Sequence, residues 1–257
     1  MCLVVFAWNT HPEYRLLLAA NRDEFHGRPA RELHWWPDAP EILAGRDLQA
    51  GGTWLAMHRN GRFATVTNYR ERQRKPAGLR SRGELVTGFV AGEGDPGTYI
   101  EAVNGEQYGG FSLLAADGDA LWYVSNRGDG PTPLEAGIYG LSNASLDTPW
   151  PKLVRARDGL RALVQNGDAN ESAMLRLMAD RSTAPAHDID NSELPFEVAR
   201  ALTAPFIVSS DYGTRCTTVL TWANDGRISL RERRFDANGD KAGESAFRFD
   251  AEHHSPT

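Results

Sequence analysis

The sequence predicts an α+β domain whose strands are joined mostly by hairpins. Three observations carry this. Short apolar runs of β-type residues recur in pairs around turn residues, and helical spacing is confined to one early and two later segments. Strand and helix signals do not alternate as they would in a doubly wound sheet.

The run Leu3 to Trp8 meets a turn at Asn9-Thr10-His11-Pro12 and is followed by Tyr14 to Ala20, the pattern of a β-hairpin. Arg22 to Asp47 carries Pro29, Pro37 and Pro40 and reads as an irregular excursion. Thr53 to Met57 and Arg62 to Asn68 bracket Asn60-Gly61, a strong hairpin signal. After a basic loop from Tyr69 to Arg82, Ser81 with Glu84 three residues on predicts a capped helix to Ala91. Phe111 to Ala115 and Ala120 to Ser125 form a second hairpin around Asp117-Gly118, and Ile138 to Ser142 is a further strand. Pro151 to Gln165 sets Leu153, Ala156, Leu160 and Leu163 on one helical face, and Glu171 to Ala179 repeats the pattern with Met174, Leu177 and Met178. Phe206 to Ser209, Arg215 to Trp222 and Arg227 to Phe235 read as strands, the last two joined at Asn224-Asp225-Gly226. No linker or repeat divides the chain, so residues 1–238 are expected to form one domain. The polar tail 239–257 is expected to be partly ordered at most, tied down if at all by Phe247 and Phe249.

Bulk properties narrow the function. The 257 residues are 41% hydrophobic and 24% charged, an ordinary globular balance that supports a sizeable core. A net charge of −6 argues against non-specific nucleic-acid binding. No apolar stretch approaches the roughly 20 residues of a transmembrane helix, and Leu3 to Trp8 is too short for a signal-peptide core. Two cysteines, Cys2 and Cys216, exclude a disulfide framework and fit a reducing compartment. No CxxC or HExxH spacing suggests a metal site. These features together predict a soluble, cytoplasmic protein and carry no signal for oligomeric state; a small-molecule partner is implied only by the resemblance described below.

Two segments point to chemistry. Removal of Met1 would leave Cys2 with both a thiol and a free α-amine, whose reference pKa of about 7.7–8.0 lets it serve as base for its own side chain. On position alone, a free Cys opening a strand is more often a core residue. Asn21-Arg22-Asp23-Glu24 ends the second strand of the first hairpin, which brings it back beside Cys2. There a carboxylate would hold the amine and a guanidinium would favour thiolate, although a solvated charged turn is the simpler reading.

These motifs, with Gly51-Gly52-Thr53-Trp54, Asn68-Tyr69-Arg70, Ser81-Arg82-Gly83-Glu84-Leu85, Leu141-Ser142-Asn143, Leu146 to Lys152 and Gly213-Thr214-Arg215, resemble the NRDE family, the transport and Golgi organisation protein 2 family. The resemblance runs from the first residue to about Phe235. The family is in turn similar to N-terminal-nucleophile hydrolases of the penicillin V acylase and bile-salt hydrolase group. That likeness implies a four-layer αββα sandwich of two mainly antiparallel sheets. It also implies Cys2 as nucleophile, Asp23 orienting its amine and Arg22 as the nearby cation. Asn68 and Asn143 would be oxyanion donors, and Arg215 the late arginine steadying the nucleophile. Donors of this kind are worth roughly 3–4 kcal/mol each. Asn21, Arg70 and Arg82 are the expected substrate-binding residues. One departure stands out: the hydrolase group separates its early Arg and Asp by two residues, whereas Arg22 and Asp23 are adjacent. Adjacent side chains on a strand face opposite ways, so both reach Cys2 only if the chain turns or Asn21 replaces one of them.

The family's links to haem trafficking and to lipid or acyl-CoA homeostasis imply a second possibility, a non-catalytic carrier using the same cleft. No cofactor is required; haem is a candidate bound ligand, with His11, His26, His34, His58 and Met57 as candidate iron ligands. The loop residues Arg70, Arg72, Arg74, Lys75, Arg80 and Arg82 are either a solvated face or an anion-receiving rim. Trp35 and Trp36 either line an apolar pocket or cap the sandwich, Trp54 and Trp150 are expected to pack in the core, Asp147-Thr148-Pro149 to turn into the Pro151 helix, and Cys216 to be buried and inert.

Overall fold

Alternating burial along the first hairpin sets the plan of the molecule. A computed structural model describes residues 2–71, 78–189 and 194–252. β1 (Cys2–Trp8) and β2 (Tyr14–Phe25) pair antiparallel, with Val4 opposite Ala20 and Phe6 opposite Leu18. Both faces of this hairpin are apolar, because both are covered. Val4, Phe6, Leu16 and Leu18 join the core between two sheets, while Leu3, Val5, Leu17 and Ala19 pack against helices.

The chain continues through β3 (Ala30–Trp36), β4 (Ala39–Asp47), β5 (Leu55–His58) and β6 (Phe63–Asn68), then the helices α1 (Gly83–Ala91) and α2 (Pro96–Glu101). β7 (Phe111–Ala116), β8 (Leu121–Ser125), β9 (Thr132–Pro133) and β10 (Gly137–Leu141) follow, then α3 (Pro151–Gln165), α4 (Glu171–Met178) and α5 (Phe196–Ala201). β11 (Tyr212–Ala223), β12 (Arg227–Phe235) and β13 (Lys241–Asp250) close the fold. Among the described residues, six strands form one antiparallel sheet in the order β10-β1-β2-β11-β12-β13, and seven form the other in the order β3-β4-β5-β6-β7-β8-β9. α3 and α4 cover the first sheet through Leu153, Leu160 and Met174; α1 covers the second through Leu85, Val86 and Phe89. The architecture is therefore a four-layer αββα sandwich of two antiparallel sheets, as the resemblance implies. Among the described residues no helix is long and apolar enough to cross a membrane.

Several expectations need correction. The excursion after Arg22 is instead the end of β2 followed by the β3–β4 hairpin. Its prolines are accommodated because Pro37 lies in the connection and Pro40 sits at a register shift, paired with no ladder residue. Phe206 to Ser209 is not a strand: the amide of Phe206 donates to the Asp180 carbonyl (2.9 Å) and that of Ile207 to Thr214 Oγ1 (2.9 Å), so Phe206 and Ile207 are buried without a ladder, while Val208 and Ser209 are exposed. The helix expected from Ser81 begins at Gly83. Glu84 accepts from the Ser81 amide (3.2 Å), half of a capping box, but Arg82 supplies no side-chain cap. The tail beyond Asn238 supplies the edge strand β13. Phe247 and Phe249 anchor it by meeting the Trp35 ring edge-on, with centroids 6.3 and 5.1 Å apart. Residues 253–257 lie outside the described residues.

Candidate active site

Between the sheets, at the end where β1 begins, lies a cavity of about 640 Å³. One cross-strand row points into it. Cys2 of β1 and Cys216 of β11 both pair with Arg22 of β2, and Cys216 also pairs with Arg234 of β12. Residues in such register share a face, so both thiols and both guanidinium groups belong to the inter-sheet side. A register shift between Thr214 and Cys216 takes Arg215 out of this row.

The face opposite Arg22 belongs to Asp23, as alternation along a strand requires. Its carboxylate is buried beside helix α3. Oδ1 accepts from Thr214 Oγ1 (2.7 Å), and Oδ2 lies 3.9 Å from Lys152 Nζ. Burial pushes the Asp23 carboxyl up, and the Lys152 ammonium pulls it back. Burial likewise pushes the Cys2 thiol up, aided by the Asp23 charge and opposed by Arg22 and by the Asp23 amide hydrogen bond. Arg22 and Asp23 thus both act on Cys2, from different sides.

Three of the six other expected residues reach this cavity. Asn68, exposed at the end of β6, lines it, as do Arg82 and Arg215. Arg82 Nη1 donates to the Gly110 carbonyl (3.1 Å), and its charge is felt by Cys2. It is set there by a close crossing of backbones. A Cβ on Gly52 would lie 2.8 Å from the Gly83 carbonyl carbon, and one on Gly83 would lie 2.9 Å from the Thr53 nitrogen. This contact gives both glycine-bearing motifs a packing reason. Arg215 Nη1 donates to the carbonyls of Phe25 (2.9 Å), His26 (3.1 Å) and Arg28 (3.2 Å), so it clamps the turn that follows β2.

Three expected residues lie elsewhere. Asn21, expected to bind substrate, faces the helix layer and has its amide fully engaged. Nδ2 donates to the Met178 and Pro205 carbonyls (2.8 and 2.9 Å), and Oδ1 accepts from Thr217 Oγ1 (2.6 Å). Asn143 and Arg70 line a second, smaller pocket behind the start of β1. Asn143 adopts a left-handed conformation (φ 55°), and its Nδ2 donates to the Asn68 carbonyl (2.9 Å), so it braces the end of β6. The candidate iron ligands are also displaced. None of His11, His26, His34, His58 and Met57 is in the described lining of the large cavity, and Met57 is fully buried in the inter-sheet core. Met1, Arg72, Arg74 and Lys75 lie outside the described residues.

Other residues were not foreseen as part of the site. Lys152 falls four and eight residues before Ala156 and Leu160, which puts it on the buried face of α3; that spacing was its signal. Glu232 is 5% exposed and lines the cavity. It accepts from the Leu33 amide (3.0 Å), tying one sheet to the other, and meets Cys216. Burial and the Glu232 charge hold the Cys216 thiol well above its ordinary range. Eight arginines against five carboxylates in the described lining make the cavity favourable to an anion.

Residues 1–237 match the family model described as Transport and Golgi organisation 2. The chain is 37% identical to a Transport and Golgi organization protein 2 homolog of Bos taurus, covering 91% of this chain and 92% of the relative. It is 35% identical to that of Homo sapiens over the same shares. Among solved structures, a crystal structure of the C2A mutant of conjugated bile acid hydrolase from Clostridium perfringens superposes over 100% of this chain and 99% of that one. The TM-score is 0.50 at 8% identity, a likeness of fold alone.

Proposed function

The chain belongs to the Transport and Golgi organisation 2 family, and from that premise and the surroundings of Cys2 we propose a Cys-nucleophile hydrolase of non-peptide amide bonds. The observation that carries the reading is the placement of Cys2 on a basic inter-sheet cavity with a buried carboxylate, Asp23, immediately behind it.

The chemistry requires removal of Met1. The freed α-amine of Cys2 then takes the thiol proton, and Sγ attacks the amide carbonyl carbon. The tetrahedral oxyanion collapses with loss of the amine, which leaves with that proton. Water, deprotonated by the same α-amine, hydrolyses the thioester, releases the carboxylic acid and restores the thiol. Asp23 orients the α-amine, and Arg22 lowers the cost of thiolate in a buried place. Asn68 offers its side chain to the oxyanion, braced by the Asn143 amide; Arg82 stands close enough for its charge to be felt at Cys2. The arginine-rich lining favours amides that carry an anionic group. The test is turnover of a panel of anionic N-acyl amides by processed protein and by Cys2→Ala and Cys2→Ser variants. Loss of turnover with unchanged folding supports the proposal, and full activity in Cys2→Ala rejects it.

A second reading has its own support: burial drives the Cys2 thiol away from the thiolate form, and the same arginines suit haem propionates or the phosphates of an acyl-CoA. This carrier would bind without Met1 removal. Saturable binding of haem or acyl-CoA to unprocessed protein, with no turnover after processing, would favour it.

A further inference from the structure

The smaller pocket, about 80 Å³, has two donors without a hydrogen-bond partner in its described lining. It opens at the start of α3, a 15-residue helix whose N-cap position, Trp150, provides no side-chain hydrogen bond and whose first turn has no acidic residue. Such a terminus favours an anion. Two side chains lining it are independently unsatisfied among the described residues: Lys152 Nζ and Trp150 Nε1 are both buried without a hydrogen-bond partner. Lys152 is 4% exposed, and its ion pair with Asp23 spans 3.9 Å, longer than a hydrogen bond. Leaving an ammonium and an indole N–H so placed is costly, and native structures usually fill such a need. Leu194, Ala199 and Leu202 supply the apolar part of the lining, and Asp188 is the one carboxylate among the described lining residues.

We propose that this pocket binds a short-chain monocarboxylate. Lys152 Nζ and Trp150 Nε1 take the carboxylate, and Leu194, Ala199 and Leu202 take the alkyl chain. The small volume, about 80 Å³, limits the occupant to a short chain, about two to four carbons long. The site does not depend on hydrolysis at Cys2, which is absent from its lining.

The test is calorimetric titration of the full chain with sodium acetate, propionate and butyrate, using sodium chloride at matched ionic strength as control. One saturable site per chain is expected, weakened at least tenfold by Lys152→Met and by Leu202→Trp, which fills the pocket from its wall. Cys2→Ala should bind the carboxylates as the unaltered chain does, so failure of the hydrolase reading and failure of this one are distinguishable. If Lys152→Met does not fold, Trp150→Phe removes the indole donor and is expected to weaken binding instead. No saturable binding, equal binding in Leu202→Trp, or full competition by chloride would overturn the proposal.

Discussion

Replacing Lys152 by Met removes one charge of a buried pair while keeping most of the side chain's volume. In the native fold the two side chains are 5% and 0% exposed, so water cannot take over the solvation of Asp23. Breaking a buried pair from one side costs about 3–5 kcal/mol, and the Thr214 hydrogen bond to Asp23 should keep the loss toward the lower end. For a chain of this size each kcal/mol corresponds to about 2–4 °C, so Lys152→Met should melt about 6–20 °C lower at pH 8. The sign of the pH dependence follows from Asp23. Its folded pKa lies above the unfolded value because of burial, and loss of Lys152 raises it further. A carboxyl shifted upward contributes stability below its ordinary pKa and loses it as pH rises through the folded value. The deficit of Lys152→Met should therefore shrink as pH falls from 8 toward 5, and Asp23→Asn in the same chain should restore most of the loss. Thermal melts followed by circular dichroism at three pH values provide the assay. A variant melting within about 2 °C of the unaltered chain at pH 8, or a deficit independent of pH, would refute the reasoning.

Three further outcomes are expected. Burial raises the Glu232 carboxyl, so its charge costs stability above the ordinary glutamate range; Glu232→Gln should melt as high as or higher than the unaltered chain at pH 8, with the advantage fading toward pH 5, as scanning calorimetry would record. Arg62 lies over the Phe89 ring at 4.0 Å and donates to the Phe89 carbonyl through Nε (3.1 Å) and Nη2 (2.9 Å), and to the Gly94 carbonyl through Nη1. Arg62→Met strips acceptors at the end of α1 and should cost about 2–4 kcal/mol, read as a lowered urea midpoint with unchanged slope. Deleting residues 241–257 removes β13 and uncovers one side of β12, so the shortened chain should melt at least 5 °C lower and self-associate, visible by light scattering.

The hairpins and the two later helices are legible in the sequence because local chemistry decides them. Gly61 and Gly118 take the positive φ their turns need, and α3 begins at Pro151, where its ring suits the first helical position. β3 and β13 are not legible. Both are edge or near-edge strands with charged residues on an open face, and their apolar contact is made to distant partners, such as Trp35 to Phe249. The site divides the same way. Cys2, Arg22 and Asp23 follow from the geometry of one hairpin. Asn21 is misread because a four-residue motif does not show which face has a helix behind it, and here Met178 and Pro205 supply its acceptors. Lys152 and Glu232 depend on packing between layers, which only the assembled sandwich reveals.

The central claim is that Cys2, freed of Met1, forms a covalent acyl intermediate at the end of the inter-sheet cavity. Acid-quenched mixtures of processed protein and an anionic N-acyl amide, digested and read by mass spectrometry, test it most directly. The account predicts an N-terminal peptide beginning at Cys2 and heavier by the acyl group, with no such species in Cys2→Ser. A peptide that retains Met1, or a processed Cys2 that never carries the acyl mass while the amide is consumed, would contradict it.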